Sequence, residues 1–487
     1  MNFEWMDDRD AARAEVLFKL FNSLDALDDE AEMIELSFRR ARGEVQGNLM
    51  ERDIVAAGRK INVLRVRLPH NVHAKHLLIK AFGARNIGDL KRDMAHPFES
   101  GNSIHALHYS ILPPKSPRRQ RIFPLAARLQ KRDSFAVKEA LWWHKEDDGR
   151  ILCTLCPRFC RMGEGQAGFC YIRKNIGGKL YSLGYGTSTG FAIDPIEKKP
   201  LNHFLPGSEI LSFGTAGCNL GCRFCQNWSI SKAKLDEAQS LNASPEQVVQ
   251  LAIRNQVPSI AFTYNDPVIW GEFVIDISRI ARERGVKSVM VTAGYITPEA
   301  RPEVYRYIDA ANVDLKAFTE RFYHKLTFSH LDPVLDTLRW LKNETDIWFE
   351  ITNLMIPDEN DDPDETKRLC DWVVENLGDA VPLHFTAFHP DFKLMDKPRT
   401  PAATLRRARR TALSAGIKYC YVGNVFDDEG QTTNCPSCHR VLIRRSWHDI
   451  LEYNLEGNRC SCGEEIPGRF AAGGFPANIG KPKSLVL

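Results

Sequence analysis

The sequence lacks the features that mark membrane and secreted proteins. No uninterrupted apolar run approaches the roughly 20 residues that a membrane-spanning helix needs. The N-terminus, MNFEWMDDRD, is acidic and has neither the basic region nor the apolar stretch of a secretory signal. An excess of one charge is also absent, because 65 Lys and Arg residues balance 62 Asp and Glu residues. The chain therefore has no general attraction to nucleic acid or anionic membranes, and we expect a cytoplasmic protein.

Cysteine is missing from residues 1–110 but abundant afterwards. Of the 13 cysteines, Cys370 and Cys420 stand alone, and we expect them to be buried small apolar residues. The others fall into three tight clusters. In a cytosolic chain, clusters of this kind indicate metal sites rather than disulfides.

Composition divides the chain into six parts. Helical spacing of apolar residues over 8–27 and 29–45 predicts a mostly helical N-terminal extension, 1–110, of unassigned role. Residues 111–135 are basic and contain proline, which indicates a linker that is either a solvated tether or a docking strip for an acidic partner. The remaining parts are a cysteine-rich lead-in, a core, a cysteine-bearing module and a tail, at 136–205, 206–430, 431–470 and 471–487.

The core alternates between strand-like and helix-like segments. Strands are predicted at 209–215, 258–263, 287–292, 312–316, 346–352, 382–388 and 417–423, and helices at 244–255 and 271–285. This alternation predicts an α/β fold in which helices cover a parallel sheet.

The central cysteine cluster follows the first of these strands. The segment GTAGCNLGCRFCQNW places Cys218, Cys222 and Cys225 in a C-x-x-x-C-x-x-C array. Three thiolates so close in sequence can hold a 4Fe–4S cube and leave its fourth iron open for chemistry. The C-terminal ends of parallel strands are also where barrel enzymes build their active sites.

Two further clusters flank the core. Cys153, Cys156, Cys160 and Cys170 can close a zinc site or hold a second iron–sulfur cluster, and their spacing does not decide between the two. Cys435, Cys438, Cys460 and Cys462 resemble the two knuckles of a zinc ribbon, with the second knuckle shortened to C-x-C.

The central array, with Phe224 before its third cysteine, resembles the signature of the radical S-adenosylmethionine superfamily. The resemblance implies that the open iron binds S-adenosylmethionine. One electron from the cluster then cleaves it reductively to release a 5′-deoxyadenosyl radical, which takes a hydrogen atom from the substrate.

From residue 137 to residue 470 the chain resembles the AmmeMemoRadiSam-system radical enzymes, which are related to pyruvate formate-lyase activating enzymes. The segments DPIEKKPLNHFLPG, VTAGYITPEA, EITNLMIPDENDD and HFTAFHPD carry this likeness. The resemblance implies a partial, open (β/α)6 barrel like that of triosephosphate isomerase. It also implies a set of contacts to S-adenosylmethionine: Asn265, Asp266, Thr292, Asp314, Lys316 and His389. Asp266 and Ala293 stand where the family usually has Glu and Asn.

Three functions follow as hypotheses. The first is a radical enzyme that acts on an unknown, possibly macromolecular, substrate, with a low-potential electron donor and with Memo-type and AMMECR-type proteins as partners. The second is an activase of a glycyl-radical enzyme. The third is a metal-bearing module that binds nucleic acid or protein, which leaves the open-iron array unexplained. The sequence names neither the substrate nor the electron donor, nor does it show whether S-adenosylmethionine is consumed or recycled.

Overall fold

The computed structural model divides the chain into two units, Met1–Leu129 and Gln130–Leu487. It describes residues 138–234 and 240–471, together with the backbone of six strands between residues 35 and 110 and of the strand Lys483–Leu485. Within these residues, no helix is long and apolar enough to cross a membrane.

The N-terminal unit is described by its strands. One sheet pairs Gly43–Gln46, Glu35–Arg40 and His108–Ser110, and another pairs Leu49–Ala56, Arg59–Arg67 and His76–Phe82. The prediction of a helix over 29–45 is therefore wrong. In this stretch Leu36 and Phe38 alternate with polar neighbours, and the period of two that suits a strand prevails over the helical spacing. The other predicted helix, 8–27, and the linker at 111–135 lie outside the described residues.

The larger unit is built on one sheet that contains all seven strands predicted for the core. Its labelled strands are β1 Phe191–Pro195, β2 Glu209–Phe213, β3 Ser259–Phe262, β4 Lys287–Thr292, β5 Ala310–Asp314, β6 Trp348–Met355, β7 Leu383–Ala387 and β8 Cys420–Gly423. Strands β2 to β8 are parallel and lie in sequence order, and β1 pairs antiparallel with β2. The sheet is open and has seven parallel strands, where the family resemblance implied six. The end of the predicted tail, Lys483–Leu485, adds an edge strand beside β1.

Helices connect the parallel strands. The longer ones are α1 Pro245–Arg254, α2 Gly271–Glu283, α3 Asp332–Glu344, α4 Pro363–Leu377 and α5 Ala402–Ser414. Short helical turns lie at Ile196–Lys198, Trp228–Ser231, Pro267–Trp270, Arg301–Val304, Glu320–Phe322, Tyr323–Thr327 and Asp428–Gln431. Helix α1 begins at a capping box, in which Ser244 and Gln247 satisfy each other's backbone N–H groups. Both α1 and α2 confirm the sequence prediction.

Small antiparallel sheets flank the core. The lead-in contains the strands Lys138–Glu139, Trp143–Lys145, Ile151–Cys153, Arg161–Met162, Arg173–Ile176 and Lys179–Ser182, and Thr187–Ser188 pairs with Leu241–Asn242. The C-terminal module contains Thr433–Asn434, Val441–Ser446 and Asp449–Tyr453. Every residue of β3 and β7 is buried, as expected for central strands of a sheet covered on both faces.

Candidate active site and metal centres

The loop that follows β2 carries Cys218, Cys222 and Cys225, and several neighbouring segments fix its path. The amide of Gly217 donates to the carbonyl of Ile230 at 3.0 Å, and the amide of Gly221 donates to that of Thr327 at 2.8 Å. Cys225 Sγ lies 3.1 Å from Ser231 Oγ. The loop is thus held in one conformation with all three thiols on it, as ligation of a single cluster requires.

Burial controls the charge of these thiols. It raises the pKa of Cys222 to about 12, although the ammonium of Lys316 acts in the opposite direction. Burial, followed by the charge of Asp266, also raises the pKa of Cys218. Both thiols are therefore neutral at pH 7 without a metal. Binding of iron would replace the proton with a stronger positive charge, and this donor set fits an iron–sulfur cube.

Asp266 lies beyond the end of β3, and it bridges β3 and β4. Its Oδ1 accepts hydrogen bonds from Val268 N at 3.1 Å and from Thr292 Oγ1 at 3.0 Å, and its Oδ2 accepts one from Ala293 N at 3.0 Å. The side chain is buried, and burial raises the pKa of this carboxyl to about 6. Because a carboxylate has about four acceptor positions, it retains room for one further donor.

Asn265 contacts the cysteine loop itself. Its Oδ1 accepts a hydrogen bond from Thr215 N at 3.2 Å, and its Nδ2 donates to Gly217 O at 2.8 Å. The amide therefore orients the start of the loop. Its expected contact with S-adenosylmethionine stays a prediction.

The other expected S-adenosylmethionine contacts are spread over three strand ends. Lys316 Nζ pairs with Asp314 Oδ2 at 2.8 Å beyond β5. Burial disfavours the charged amine, but the carboxylate of Asp314 outweighs it and raises the pKa of Lys316. His389 follows β7 and is exposed. The structure thus brings Asp266 to Thr292 and Lys316 to Cys222, and their roles in binding stay predictions.

A cavity of about 420 Å³ opens beside the cysteine loop. Its lining residues are Phe169, Tyr171, Cys218, Gly221, Arg223, Ser231, Lys232, Phe328, Phe392 and Lys393. The walls are thus aromatic, the charged groups are all cationic, and no carboxylate is among these residues. The sequence alone does not reveal this rim, because its aromatic residues come from three separated segments and share no motif.

A buried polar network lies between the sheet and the C-terminal module. Glu350 Oε2 lies 2.7 Å from His384 Nε2, and its Oε1 accepts a hydrogen bond from His203 N at 2.7 Å. His203 Nδ1 contacts Pro467 O, and its Nε2 contacts Tyr421 Oη, each at 2.7 Å. These contacts join the segment after β1 to β6, β7 and β8.

The flanking clusters differ in geometry. Cys435, Cys438, Cys460 and Cys462 place their four Sγ atoms within 4.8 Å of one another, so this group could hold a metal ion. Cys153, Cys156, Cys160 and Cys170 line one small cavity at the opposite end of the unit's sequence, together with Arg173 and Asn219. All of these cysteines are free thiols. Cys370 and Cys420 are buried, as predicted.

Comparison with known proteins agrees with the site. A family model described as the radical SAM superfamily matches residues 213–370, which include the cysteine loop. The chain is therefore a radical S-adenosylmethionine enzyme. It is 44% identical over 333 residues to the "Uncharacterized protein MJ0808" of Methanocaldococcus jannaschii. The aligned residues cover 68% of this chain and 99% of that protein, so the chain belongs to the same family.

Other known proteins match parts of the chain. The pyruvate formate-lyase-activating enzyme of Clostridium pasteurianum is 22% identical over 188 residues, which cover 38% of this chain and 76% of that enzyme. Among solved structures, a radical SAM methyltransferase from Sphaerobacter thermophilus covers 45% of this chain and 67% of its own, with 18% identity and a TM-score of 0.38.

Proposed function

We propose that Cys218, Cys222 and Cys225 hold a 4Fe–4S cluster that cleaves S-adenosylmethionine reductively and yields a 5′-deoxyadenosyl radical. The observation that carries the proposal is the fixed loop of three buried or half-buried thiols at the C-terminal edge of a parallel sheet, beside the carboxylate of Asp266. The cluster supplies the electron and the open iron. The chain positions the thiolates and excludes water.

The test is anaerobic reconstitution, followed by assay for 5′-deoxyadenosine with a strong reductant in place of the low-potential donor. Cys218→Ser, Cys222→Ser and Cys225→Ser variants should each lose cleavage, because the cluster then lacks a thiolate. Cys370→Ser is the matched control, since Cys370 is buried but remote from the three clusters in sequence. Cleavage by all three ligand variants would refute the proposal.

For the substrate, we propose a Memo-type or AMMECR-type companion protein, or a molecule that the two deliver. The resemblance to AmmeMemoRadiSam-system enzymes supports this partner. The cavity beside the loop adds a physical constraint. Its aromatic walls and three cations, Arg223, Lys232 and Lys393, favour a segment with an apolar group next to an anionic one.

The alternative is an activase of a glycyl-radical enzyme, which the likeness to the pyruvate formate-lyase-activating enzyme supports. Anaerobic incubation with each candidate separates the two functions. We expect mass spectrometry to show a change in a companion protein. A glycyl-radical doublet in electron paramagnetic resonance on a formate-lyase-like partner, with both companions unchanged, would favour the activase.

We also propose that the C-terminal tetrad, which consists of Cys435, Cys438, Cys460 and Cys462, holds zinc. Cys435 Sγ lies 3.6 Å from Cys462 Sγ, and Cys438 Sγ lies 3.7 Å from Cys460 Sγ. Tetrahedral zinc, with Zn–S bonds of about 2.3 Å, separates its sulfur ligands by about 3.8 Å. The shortened second knuckle is therefore compatible with these distances.

A further inference from the structure

The four lead-in cysteines enclose a site of their own. Cys153 ends a strand of the lead-in, and Cys156 and Cys160 follow in the next turns. Cys170 comes from beyond the strand Arg161–Met162. All four thiols line one cavity, and three of them are buried. Four thiolates around a closed space leave no coordination position open, which distinguishes this site from the three-cysteine loop.

The spacing of the thiols separates the three clusters of the chain into two kinds. Within the part of the chain that the structure describes, the C-terminal tetrad alone has three or more ligand atoms that all lie within 4.8 Å of one another. The thiols of the lead-in are farther apart than those of the tetrad. The same holds for the radical loop, which is the loop after β2 that carries Cys218, Cys222 and Cys225. A single ion draws its sulfur ligands together, whereas an iron–sulfur core several atoms wide holds them apart. By this criterion the lead-in resembles the radical loop and differs from the tetrad.

The wall of the cavity between the four lead-in cysteines supplies hydrogen-bond donors for an anionic cluster. Arg173 lines it and is 2% exposed, and its Nε has no hydrogen-bond partner among the described residues. Its NH1 group is held by both carboxylate oxygens of Glu272, at 2.9 and 3.0 Å. A buried donor without a partner is costly, and the sulfur of a cluster or of its thiolates is an acceptor that would satisfy it.

We propose that Cys153, Cys156, Cys160 and Cys170 hold a second iron–sulfur cluster rather than zinc. This site is next to the radical loop, because Asn219, the residue after Cys218, lines the same cavity. The proposal does not depend on the proposed cleavage of S-adenosylmethionine, since it concerns a different set of ligands.

The experiment uses the full chain with all three cysteines of the radical loop changed to Ser. The variant is purified anaerobically, reconstituted, and analysed for iron, acid-labile sulfide and zinc. We expect iron and sulfide to remain in equal amounts, with about one zinc per chain, which the C-terminal tetrad binds. Adding Cys156→Ser should remove the remaining iron, and adding Cys370→Ser instead should leave it in place.

Two outcomes would overturn the proposal. One is about two zinc ions per chain without iron, which would make the lead-in a zinc site. The other is a folded variant, shown by unchanged circular dichroism and retained zinc at the tetrad, that binds no metal at the lead-in. Failure of S-adenosylmethionine cleavage in the wild-type protein would not affect either result, so the two proposals fail independently.

Discussion

Gly217 lies against the backbone of Cys170. A Cβ atom at residue 217 would stand 2.0 Å from the carbonyl oxygen of Cys170, and the φ angle of Gly217 is +83°. The loop of the radical cluster and the last ligand of the lead-in are thus in direct backbone contact. Only a residue without a side chain allows both the close approach and this left-handed conformation.

The first prediction follows from this contact. Gly217→Ala should displace the loop and reduce the iron bound after reconstitution, in addition to lowering the denaturation midpoint. Gly149→Ala is the matched control, because Gly149 has the same φ of +83° but nothing within 4 Å of the added Cβ. The control carries only the conformational cost of about 1–2 kcal/mol. Equal iron content in the two variants would show that the contact is not needed for cluster assembly.

The strands of the core were predictable because buried parallel strands are short apolar runs between turns. PSIAFT and KSVMVT have this form, and both became strands: every residue of the first strand is buried, and four of the six residues of the second are. The first two N-terminal strands, Glu35–Arg40 and Gly43–Gln46, were missed because residues 29–45 satisfy helical and strand periods together. Local spacing could not decide between them, since pairing between distant segments selects the strand.

The three cysteine clusters could be recognised because each set is nearly contiguous in sequence, and their role as metal ligands stays a prediction. The contact of Asn265 with the cysteine loop could not be predicted, because its partners Thr215 and Gly217 lie about 50 residues earlier, on the loop after the neighbouring strand β2. The contacts of the Arg173 guanidinium could not be predicted for the same reason. Its partner Glu272 is in helix α2, far along the chain, and only the folded structure brings the two together.

The second prediction concerns Asp266 and S-adenosylmethionine. Asp266→Ala should weaken binding by about 1.5–3 kcal/mol, the range for a hydrogen bond to a charged group. The visible spectrum of the cluster should remain, because the thiol ligands are unchanged. Equilibrium dialysis measures the affinity. Asp266→Glu is the matched variant, since it restores the residue usual in the resembling family and should keep most of the binding.

The affinity should also depend on pH. Burial raises the pKa of Asp266 to about 6 in the free protein. Lowering the pH through 6 protonates the carboxyl and removes the negative charge that would face the ammonium group, so binding should weaken. Affinity that is equal for Asp266→Ala and wild type, or independent of pH between 7 and 5, would mean that another residue holds the ammonium.

The third prediction concerns His203. Its Nδ1 faces the carbonyl of Pro467, which can only accept, so Nδ1 donates, and Nε2 accepts the hydrogen bond of the Tyr421 hydroxyl when the ring is neutral. This assignment requires a neutral ring. Burial lowers the pKa of His203 to about 4, although the charge of Glu350 acts in the opposite direction. Protonation of this buried ring, which connects the C-terminal module to the sheet, is therefore unfavourable in the folded protein.

The pKa of His203 in the folded protein lies below its unfolded value of 6.5. The contribution of His203 to the free energy of unfolding is therefore fully present above pH 6.5 and is lost as the pH falls toward 4. His203→Gln should lower the free energy of unfolding at pH 7 by about 1–3 kcal/mol, the cost of unpaired buried polar groups. It should also make the stability less dependent on pH in this window. Urea denaturation at several pH values measures both effects. His144→Gln, at an exposed strand position, is the control, and an equal pH dependence for both variants would contradict the assignment.

The last prediction concerns metal removal from the C-terminal tetrad. The sequence predicts a module at 431–470 whose cysteines resemble the knuckles of a zinc ribbon. The structure shows that it also packs on the core, because Leu442 and Ile443 share an apolar cluster with Tyr419 and Tyr421. Its Arg445 is buried, and NH2 of this residue donates to the carbonyl of Asn202 at 2.8 Å. Chelation in the full chain should therefore loosen the module locally rather than unfold the protein.

Hydrogen exchange should detect this loosening. After removal of zinc, or in Cys460→Ser, amides of the strand Val441–Ser446 should exchange faster, because the proposed metal would tie together the two knuckles on either side of that strand. Amides of β3 should keep their protection, since β3 is paired on both sides and distant from the tetrad in the sheet order. Cys420→Ser, a buried cysteine outside the clusters, is the control for loss of a thiol. Unchanged exchange in the module after complete loss of zinc would show that packing on Tyr419 and Tyr421 holds it without metal.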